Sequence, residues 1–359
     1  MTEISASRLA EQIASHGMVG SSNELIDLDL VDGDIVAELA AERVLGVAVS
    51  AIDEGAMVGS DEVLSALIER HDQVMSQTMR IEIAAVRLAE AFDDSGIDHR
   101  FLKGVALAHV LPQRPSCRSY RDVDVLVPSA SIDDAVALFM DNGATRSQPE
   151  LRPGYDRRFA KSVTLRYDGV EFDIHRLLSP GPFGVLTKPS ELFLLQRQVH
   201  IGGMSLRTLD PTDHLVHACY HVALGQVNPV LANLRDIALL TTLEDDPVDM
   251  DRFDETITRW RGGAVVKRAV RIVRERLDCD LPDRFVGYAH KPVPAAEIDM
   301  LEPYLVDEPG GRFAALAPST LKALPMADRP AYALAVGLPE GSDPIGRARD
   351  LLRRRGSSS

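Results

Sequence analysis

The chain has 359 residues, a hydrophobic fraction of 45% and a formal net charge of −15, with a sequence pI near 5.1. This length accommodates two or three domains of about 100–200 residues each. The acidic balance argues against a broad nucleic-acid surface, because nonspecific binding depends on clustered Lys and Arg facing phosphates. No apolar segment reaches the roughly 20 residues that a membrane span needs. The three widely spaced cysteines lack zinc-ligand spacing and indicate a reduced, cytoplasmic compartment.

The chain opens with a predicted helical region. Its first stretch, MTEISASRLAEQ, lacks a basic segment and an apolar run, so we expect no signal peptide. Apolar spacing predicts helices over 2–16 and 35–53. Ser60-Asp61 then caps a long helix that ends near Gly96. We expect this long helix to pack on the sheet that follows, and dimerisation through it is the alternative.

A strand predicted over 97–102 meets Lys103-Gly104, and a helix is predicted over 104–111. The N–H groups and the positive dipole end of a helix N-terminus suit a phosphate group. Gly104 allows the backbone to approach such a group closely. Three arginines follow before the next strand, namely Arg114, Arg118 and Arg121. Arginine suits phosphate oxygens, and a set of surface charges is the alternative.

The run from Arg121 to Val127, RDVDVLV, predicts a strand because Val and Leu dominate it and Pro128 closes it. Side chains alternate along a strand, so Asp122 and Asp124 share one face. Two carboxylates on one face of an apolar strand repel each other and resist burial. A Mg²⁺ ion would relieve that repulsion, since it binds one or two carboxylates together with substrate phosphates. A solvated strand face is the alternative.

Two further strands are predicted over 159–167 and 170–177, joined by Asp168-Gly169. Asp-Gly between such runs is among the strongest short hairpin signals. In the second strand, alternation puts three polar side chains on one face, those of Glu171, Asp173 and His175. We expect this strand to lie beside the strand of Asp122 and Asp124. Parity alone does not choose between Glu171 and Asp173 as a third carboxylate.

Together these segments resemble the nucleotidyltransferase superfamily related to DNA polymerase beta. The resemblance rests on Lys-Gly before a helix, an R-x-x-D-x-D-x-L-V pattern in outline, for which Arg118 or Arg121 supplies the arginine, and a hairpin strand ending in acidic-x-His. It covers about Ile97 to Leu243. Within the superfamily the chain is most similar to the bacterial family of uncharacterised nucleotidyltransferases. Irregular alternation of helices and strands also favours a small mixed sheet. We therefore expect an α+β fold, with a nucleotidyltransferase core over 97–180 flanked by helical regions over 1–96 and 181–359.

The resemblance also implies an activity, the transfer of a nucleoside monophosphate from an NTP to an acceptor hydroxyl, with Mg²⁺ or Mn²⁺ as cofactor. The acceptor is a small molecule, an RNA end or a protein, and the sequence gives neither its identity nor the oligomeric state. The implied catalytic and metal-holding residues are Asp122, Asp124 and Asp173. The implied phosphate-binding residues are Lys103, Gly104, Arg118 and Arg121. Further candidates are Glu171, His175, His221 and Asp236.

One departure from the family pattern bears on activity. Better-studied members of the superfamily carry Gly-Ser or Gly-Gly-Ser where this chain has Lys103-Gly104. The departure removes a phosphate-binding hydroxyl. The alternative function is therefore a catalytically inactive nucleotide-binding or interaction protein with the same fold.

Beyond Ser179-Pro180-Gly181-Pro182 the pattern becomes helical. A short helix is predicted over 190–198 and a short strand or extended link over 206–209. The helix over 212–224 carries His214, His217 and His221, for which a metal, a substrate contact and structural packing are the readings. In the next helix, over 233–240, Arg235 and Asp236 either help form the nucleotide pocket or lie on the helix surface. Later helices are predicted over 251–277, 292–305, 312–324 and, as a basic amphipathic helix, 345–355.

Overall fold

The computed structural model describes residues 4–22, 24–307 and 309–337. The N-terminal region contains β1 (Ile4–Ser5), α1 (Ala6–Ala14), β2 (Ile26–Asp27), β3 (Val31–Asp32), α2 (Ile35–Ala41), α3 (Leu45–Asp53), β4 (Met57–Val58) and α4 (Asp61–Asp94). Two small parallel pairs, β1 with β3 and β2 with β4, tie its loops together. The single helix predicted over 35–53 is wrong, because the chain turns at Arg43, whose φ is 60°.

The long helix α4 confirms the prediction that it packs on the sheet. Its buried side chains include Leu67, Ile81, Leu88 and Phe92, and it contacts several strands of the central sheet. Ser60 is the residue before the helix, but its hydroxyl donates to Asp29 and makes no capping bond. Burial of the apolar face, rather than the predicted side-chain cap, therefore fixes this helix.

The central sheet is mixed, which confirms the expected α+β class. Its strands are β5 (Arg100–Phe101), β6 (Asp122–Leu126), β7 (Thr145–Arg146), β8 (Ser162–Tyr167), β9 (Val170–His175), β10 (Arg197–Ile201) and β11 (Met204–Thr208), in the spatial order β10-β11-β5-β6-β9-β8-β7. The helices between them are α5 (Lys103–Val110), α6 (Ile132–Asp141), α7 (Tyr155–Arg158) and α8 (Gly181–Leu186). Strand β6 is the middle strand, and it pairs antiparallel with β5 and parallel with β9.

Two glycine-containing turns set the hairpins. Asp168 and Gly169 have φ of 49° and 73°, and they join β8 to β9 as predicted. Gly202 and Gly203 make the corresponding turn between β10 and β11. Such two-residue turns need positive φ, which suits the twist of paired strands.

The β10–β11 hairpin corrects one predicted element. The helix predicted over 190–198 is wrong: a 3-10 turn spans Pro189–Phe193, and the chain then enters β10. Pairing with β11, which buries Val199 and Ile201, overrides the local helical pattern. The predicted strand over 206–209 is confirmed as part of β11. Because β11 pairs with β5, the sheet includes strands from beyond residue 180, and the core boundary there stays a prediction.

The remaining chain is helical. Its helices are α9 (Pro211–Gly225), α10 (Leu231–Leu240), α11 (Met250–Arg259), α12 (Gly263–Arg276), α13 (Asp283–Val286), α14 (Ala295–Leu301), α15 (Pro309–Ala323) and α16 (Arg329–Val336). The helix predicted over 251–277 is two helices, because the buried Trp260 and the left-handed Arg261 end α11. The basic helix predicted over 345–355 lies outside the described residues. Among the helices that the structure describes, none is long and apolar enough to cross a membrane.

Candidate active site on strands β6 and β9

The parallel register of β6 and β9 brings the predicted acidic residues side by side. Asp122 lies opposite Glu171, and Asp124 lies opposite Asp173. Leu126 lies opposite His175 in the same register. Partners in a parallel pair share a face, so these carboxylates project from one side of the sheet centre. The other side is apolar, with Val123, Val125, Phe172 and Ile174 buried there.

Asp124 is the most enclosed of these carboxylates, with 2% of its surface exposed. The Lys103 ammonium lies 3.1 Å from its Oδ2, and His175 donates from Nε2 to its Oδ1 at 2.9 Å. Burial alone would raise the pKa of Asp124, but Lys103 and the His175 hydrogen bond outweigh it and lower the pKa well below its usual value. Asp124 is therefore a buried anion held by two side chains.

Three side chains are placed close enough to share a cation. Ligand atoms of Asp124, Asp173 and His175 lie within 4.8 Å of one another, the one such group among the described residues. Asp124 Oδ2 is buried and faces the Lys103 ammonium at 3.1 Å, an ion pair that lacks the geometry of a regular hydrogen bond. The two carboxylates suit a hard divalent cation and fit the implied metal, while His175, which donates from Nε2 to Asp124, positions one of them.

The other two predicted carboxylates are placed differently. Asp122 lies outside that group, and burial together with the charge of Asp124 raises its pKa. Glu171 accepts hydrogen bonds from the Arg166 guanidinium near the strand edge. Asp173 therefore lies beside Asp124, whereas Glu171 pairs with the Arg166 guanidinium. Strand alternation alone did not distinguish these two carboxylates. The Thr164 hydroxyl donates to Asp173 and orients its carboxylate.

The Lys103-Gly104 turn is shaped by its neighbours. Gly104 has φ of 31° and ψ of −109°, a conformation that suits glycine. A Cβ on Gly104 would lie 3.4 Å from the Tyr120 side chain, whose hydroxyl donates to Glu82. Lys103 points to the carboxylates, and its pKa is raised because the attraction of Asp124 and Asp122 exceeds the effect of burial.

Arg118 and Asp236, which were predicted as separate pocket residues, form one buried ion pair. Arg118 Nε lies 2.9 Å from Asp236 Oδ1, and one terminal nitrogen lies 2.9 Å from Oδ2. The same guanidinium donates to Asn233 and to the Ser119 carbonyl. The surface reading of Asp236 is wrong, since it is 3% exposed. Arg121 is exposed and, within the described residues, makes no hydrogen bond or ion pair.

Helix α9 carries the three predicted histidines, His214, His217 and His221. Burial lowers the pKa of His217 and of His221 well below its usual value, and the positive charge of Lys103 acts in the same direction on both. Asn233 contacts His221 Nε2 at 3.3 Å. His214 contacts the Thr208 hydroxyl at 2.7 Å. These contacts support the packing interpretation of the three histidines, and the close three-ligand group contains none of them.

Two cations beside the carboxylates were missed by the sequence analysis. Lys161 precedes β8, and Asp173, Asp124 and Asp122 all act on its ammonium; burial and Lys103 nevertheless lower its pKa. Arg43 comes from the turn between α2 and α3. Lys161 could have been identified, because it lies in the strand predicted over 159–167, which pairs with the strand of Asp173. No local signal marked Arg43, since its position depends on how the N-terminal helices pack.

A groove of about 610 Å³ lies on the opposite side of the sheet from the carboxylates. It is lined by Ile83, Phe139, Tyr167 and Phe172, and Arg80 and Arg87 line it as well. Because Phe172 points away from Asp173 on the same strand, this groove is separate from the candidate active site.

Comparison with known proteins identifies the family. The sequence pattern of the uncharacterised nucleotidyltransferase family matches residues 32–278, a longer span than the predicted resemblance. The chain belongs to this family. Membership confirms the predicted relationship and assigns the chain to the nucleotidyl-transferring enzymes. No curated protein matches the sequence.

Similar solved structures have low overall similarity to the chain. The solution structure of the antibiotic-resistance factor ANT(2'')-Ia is 11% identical, with a TM-score of 0.35, and the match covers 53% of this chain and 93% of that one. An antigenic nucleotidyltransferase-like protein from Paracoccidioides brasiliensis is 14% identical, with a TM-score of 0.32, and the match covers 55% of this chain and 94% of that one.

Proposed function

We propose that this nucleotidyltransferase moves a nucleoside monophosphate from an NTP to an acceptor hydroxyl with the help of Mg²⁺ or Mn²⁺. The observation that carries the proposal is the group of Asp124, Asp173 and His175 at the centre of the sheet. Asp124 and Asp173, with Asp122 beside them, would hold the cation. When bound, the cation would neutralise phosphate charge and stabilise the attacking and leaving oxygens of an in-line displacement.

The chain's own residues have separate tasks in this proposal. Lys103 and the backbone at Gly104 bind and orient the phosphates, which is a positioning and electrostatic role. Asp173 either completes the metal site or accepts the proton of the acceptor hydroxyl. His175 holds Asp124 in place through the hydrogen bond of 2.9 Å. A small molecule, an RNA end or a protein is the acceptor.

Pyrophosphate release tests this function. The purified protein is incubated with each NTP, Mg²⁺ or Mn²⁺ and a cell extract as the source of acceptor. Asp122→Asn and Asp124→Asn each remove a carboxylate charge from the site, and we expect each to abolish release while the fold survives. Asp141→Asn is the matched control, since Asp141 is exposed at the end of α6, and it should keep full activity. Full activity in either site variant would contradict the assignment.

The third carboxylate is tested with a second matched pair. We expect Asp173→Asn to lose transfer, because Asp173 lies opposite Asp124 in the register. Glu171→Gln should keep most of the transfer rate, since the Glu171 carboxylate is occupied by hydrogen bonds from Arg166. The reverse ranking of the two rates would assign the role to Glu171.

A nucleotide-binding protein without transfer activity is the second candidate. Its support is that Lys103 and His175 both engage Asp124, so side chains of the chain itself neutralise the carboxylate. The absence of a hydroxyl residue after Gly104 agrees with this reading. It predicts NTP binding by calorimetry without pyrophosphate release under any metal.

A further inference from the structure

The turn that terminates helix α2 contains Arg43, whose backbone conformation most side chains avoid. The Arg43 N–H donates to the Ala40 carbonyl, and the Val44 N–H donates to the Leu39 carbonyl at 2.9 Å. This pair of bonds is a helix-ending motif whose left-handed position is usually occupied by glycine. Arg43 occupies it with φ of 60°. The position therefore carries an arginine at a local conformational cost.

Contacts of the preceding residue, Glu42, fix this turn against the C-terminal helices. The Leu231 N–H donates to Glu42 Oε2 at 2.6 Å, and the Ala232 N–H donates to its main-chain oxygen at 3.2 Å. Arg276 donates to Glu42 Oε1 at 3.1 Å. Three contacts from two helices thus hold the turn that carries Arg43.

The Arg43 guanidinium lies near other charged side chains but pairs with none of them among the described residues. Glu42 accepts a hydrogen bond from the Ala232 N–H, and Asn233, the next residue of α10, accepts one from Arg118, so the turn of Arg43 lies beside the segment that leads into β6. Burial and the charges of Arg118 and Arg121 lower the pKa of the half-buried Arg43, whereas Asp122 and Asp124 act in the opposite direction. Arg118 is held in the buried ion pair described above. In the part of the chain that the structure describes, no hydrogen bond or ion pair engages the guanidinium of Arg43 or of Arg121. Two unpaired cations therefore lie beside the carboxylate site.

We propose that Arg43 binds the polyphosphate chain of the substrate, as a binding residue that the N-terminal helical region contributes to the site. The inference rests on the proposed function, since a phosphate chain beside Asp122 and Asp124 is that of the NTP. A guanidinium offers phosphate two parallel N–H donors, whereas an ammonium offers a point charge. Arg43→Lys therefore weakens binding even though it keeps the charge.

The test measures affinity and stability together. Calorimetry with inorganic tripolyphosphate and with ATP, each with Mg²⁺, is applied to the wild type, Arg43→Gly, Arg43→Lys and Arg261→Gly. We expect Arg43→Gly to weaken tripolyphosphate and ATP binding by about 10- to 100-fold, the loss of a charge-assisted hydrogen bond. Glycine also relieves the left-handed backbone, so the Tm should stay the same or rise by about 2 °C.

Arg261 provides the matched control, because it occupies the same position of the same motif at the end of α11. Its φ is 53°, its N–H donates to the Thr258 carbonyl, and it is exposed. Arg261→Gly should shift the Tm in the same direction and leave both affinities unchanged.

The outcomes separate the inference from the function on which it rests. Weaker binding by Arg43→Gly with an equal or higher Tm supports the inference, since loss of a purely structural arginine lowers the Tm. Unchanged affinity, or weaker binding accompanied by a lower Tm, overturns the inference and leaves the proposed function standing. If the wild type binds neither tripolyphosphate nor ATP, the proposed function is overturned, and the inference with it.

Discussion

The buried ion pair of Arg118 and Asp236 offers the sharpest test of how the core is joined to the C-terminal helices. The two residues are 118 positions apart in the chain and make two contacts of 2.9 Å. Their side chains are only 3% and 4% exposed. Asp236→Leu leaves the Arg118 charge buried without its counter-ion, and we expect a loss of about 3–5 kcal/mol in the free energy of unfolding. Arg118→Met should have a comparable cost.

The double variant Arg118→Met/Asp236→Leu distinguishes this mechanism from simple loss of packing. Removing both charges removes the desolvation penalty of each, so the double variant should be far more stable than the sum of the single changes predicts. Arg157→Met is the surface control, since Arg157 pairs with Asp133 where both side chains are 55% exposed. Its loss should be below about 1 kcal/mol.

Denaturant unfolding followed by circular dichroism, without nucleotide, provides the measurement for all four variants and the wild type. A single variant of the buried pair within about 1 kcal/mol of the wild type would refute the reasoning. So would a double variant whose loss equals the sum of the two single losses. Either result would show that the two charges are not coupled as their burial predicts.

Two further predictions concern packing and pH. Gly46→Ala places a Cβ 2.0 Å from the Ser116 carbonyl, so unfolding measurements should show a loss of about 1–3 kcal/mol. Gly287→Ala, with no atom within 4 Å, is its control and should stay within about 0.5 kcal/mol of the wild type; equal losses would contradict the packing argument. Burial lowers the pKa of His214 from 6.5 to about 3, so its stabilising contribution is complete above pH 6.5 and is lost as the pH falls towards 3. Between pH 6.5 and 5 the wild type should lose about 2 kcal/mol more than His214→Gln, and equal losses in the two proteins would show that His214 does not titrate this way.

The acidic strand and its partner hairpin could be read from the sequence because their signals are local. Alternation along β6 puts Asp122 and Asp124 on one face whatever the rest of the chain does. Asp168-Gly169 specifies a hairpin through its own φ preferences. The family resemblance over this region is confirmed for the same reason, since it rests on short motifs.

Elements whose form depends on partners were predicted less well. The helix predicted over 190–198 gives way to β10 at Arg197, because the Gly202-Gly203 turn returns the chain and β11 supplies hydrogen bonds. The helix predicted over 35–53 breaks at Arg43, a residue with no local signal for left-handed backbone. Contacts of the turn with α10 and α12 provide a reason that no window of sequence contains.

The sequence by itself determined which residue types stand on the central strands, because strand periodicity fixes the face of each side chain. Only the tertiary structure decided which of them meet. The parallel register of β6 with β9 put Asp173 opposite Asp124 and Glu171 opposite Asp122. Packing of α10 against the core turned Arg118 away from the candidate phosphate site and into an ion pair with Asp236. Register and helix packing are set by contacts between distant segments, and local preferences carry no information about them.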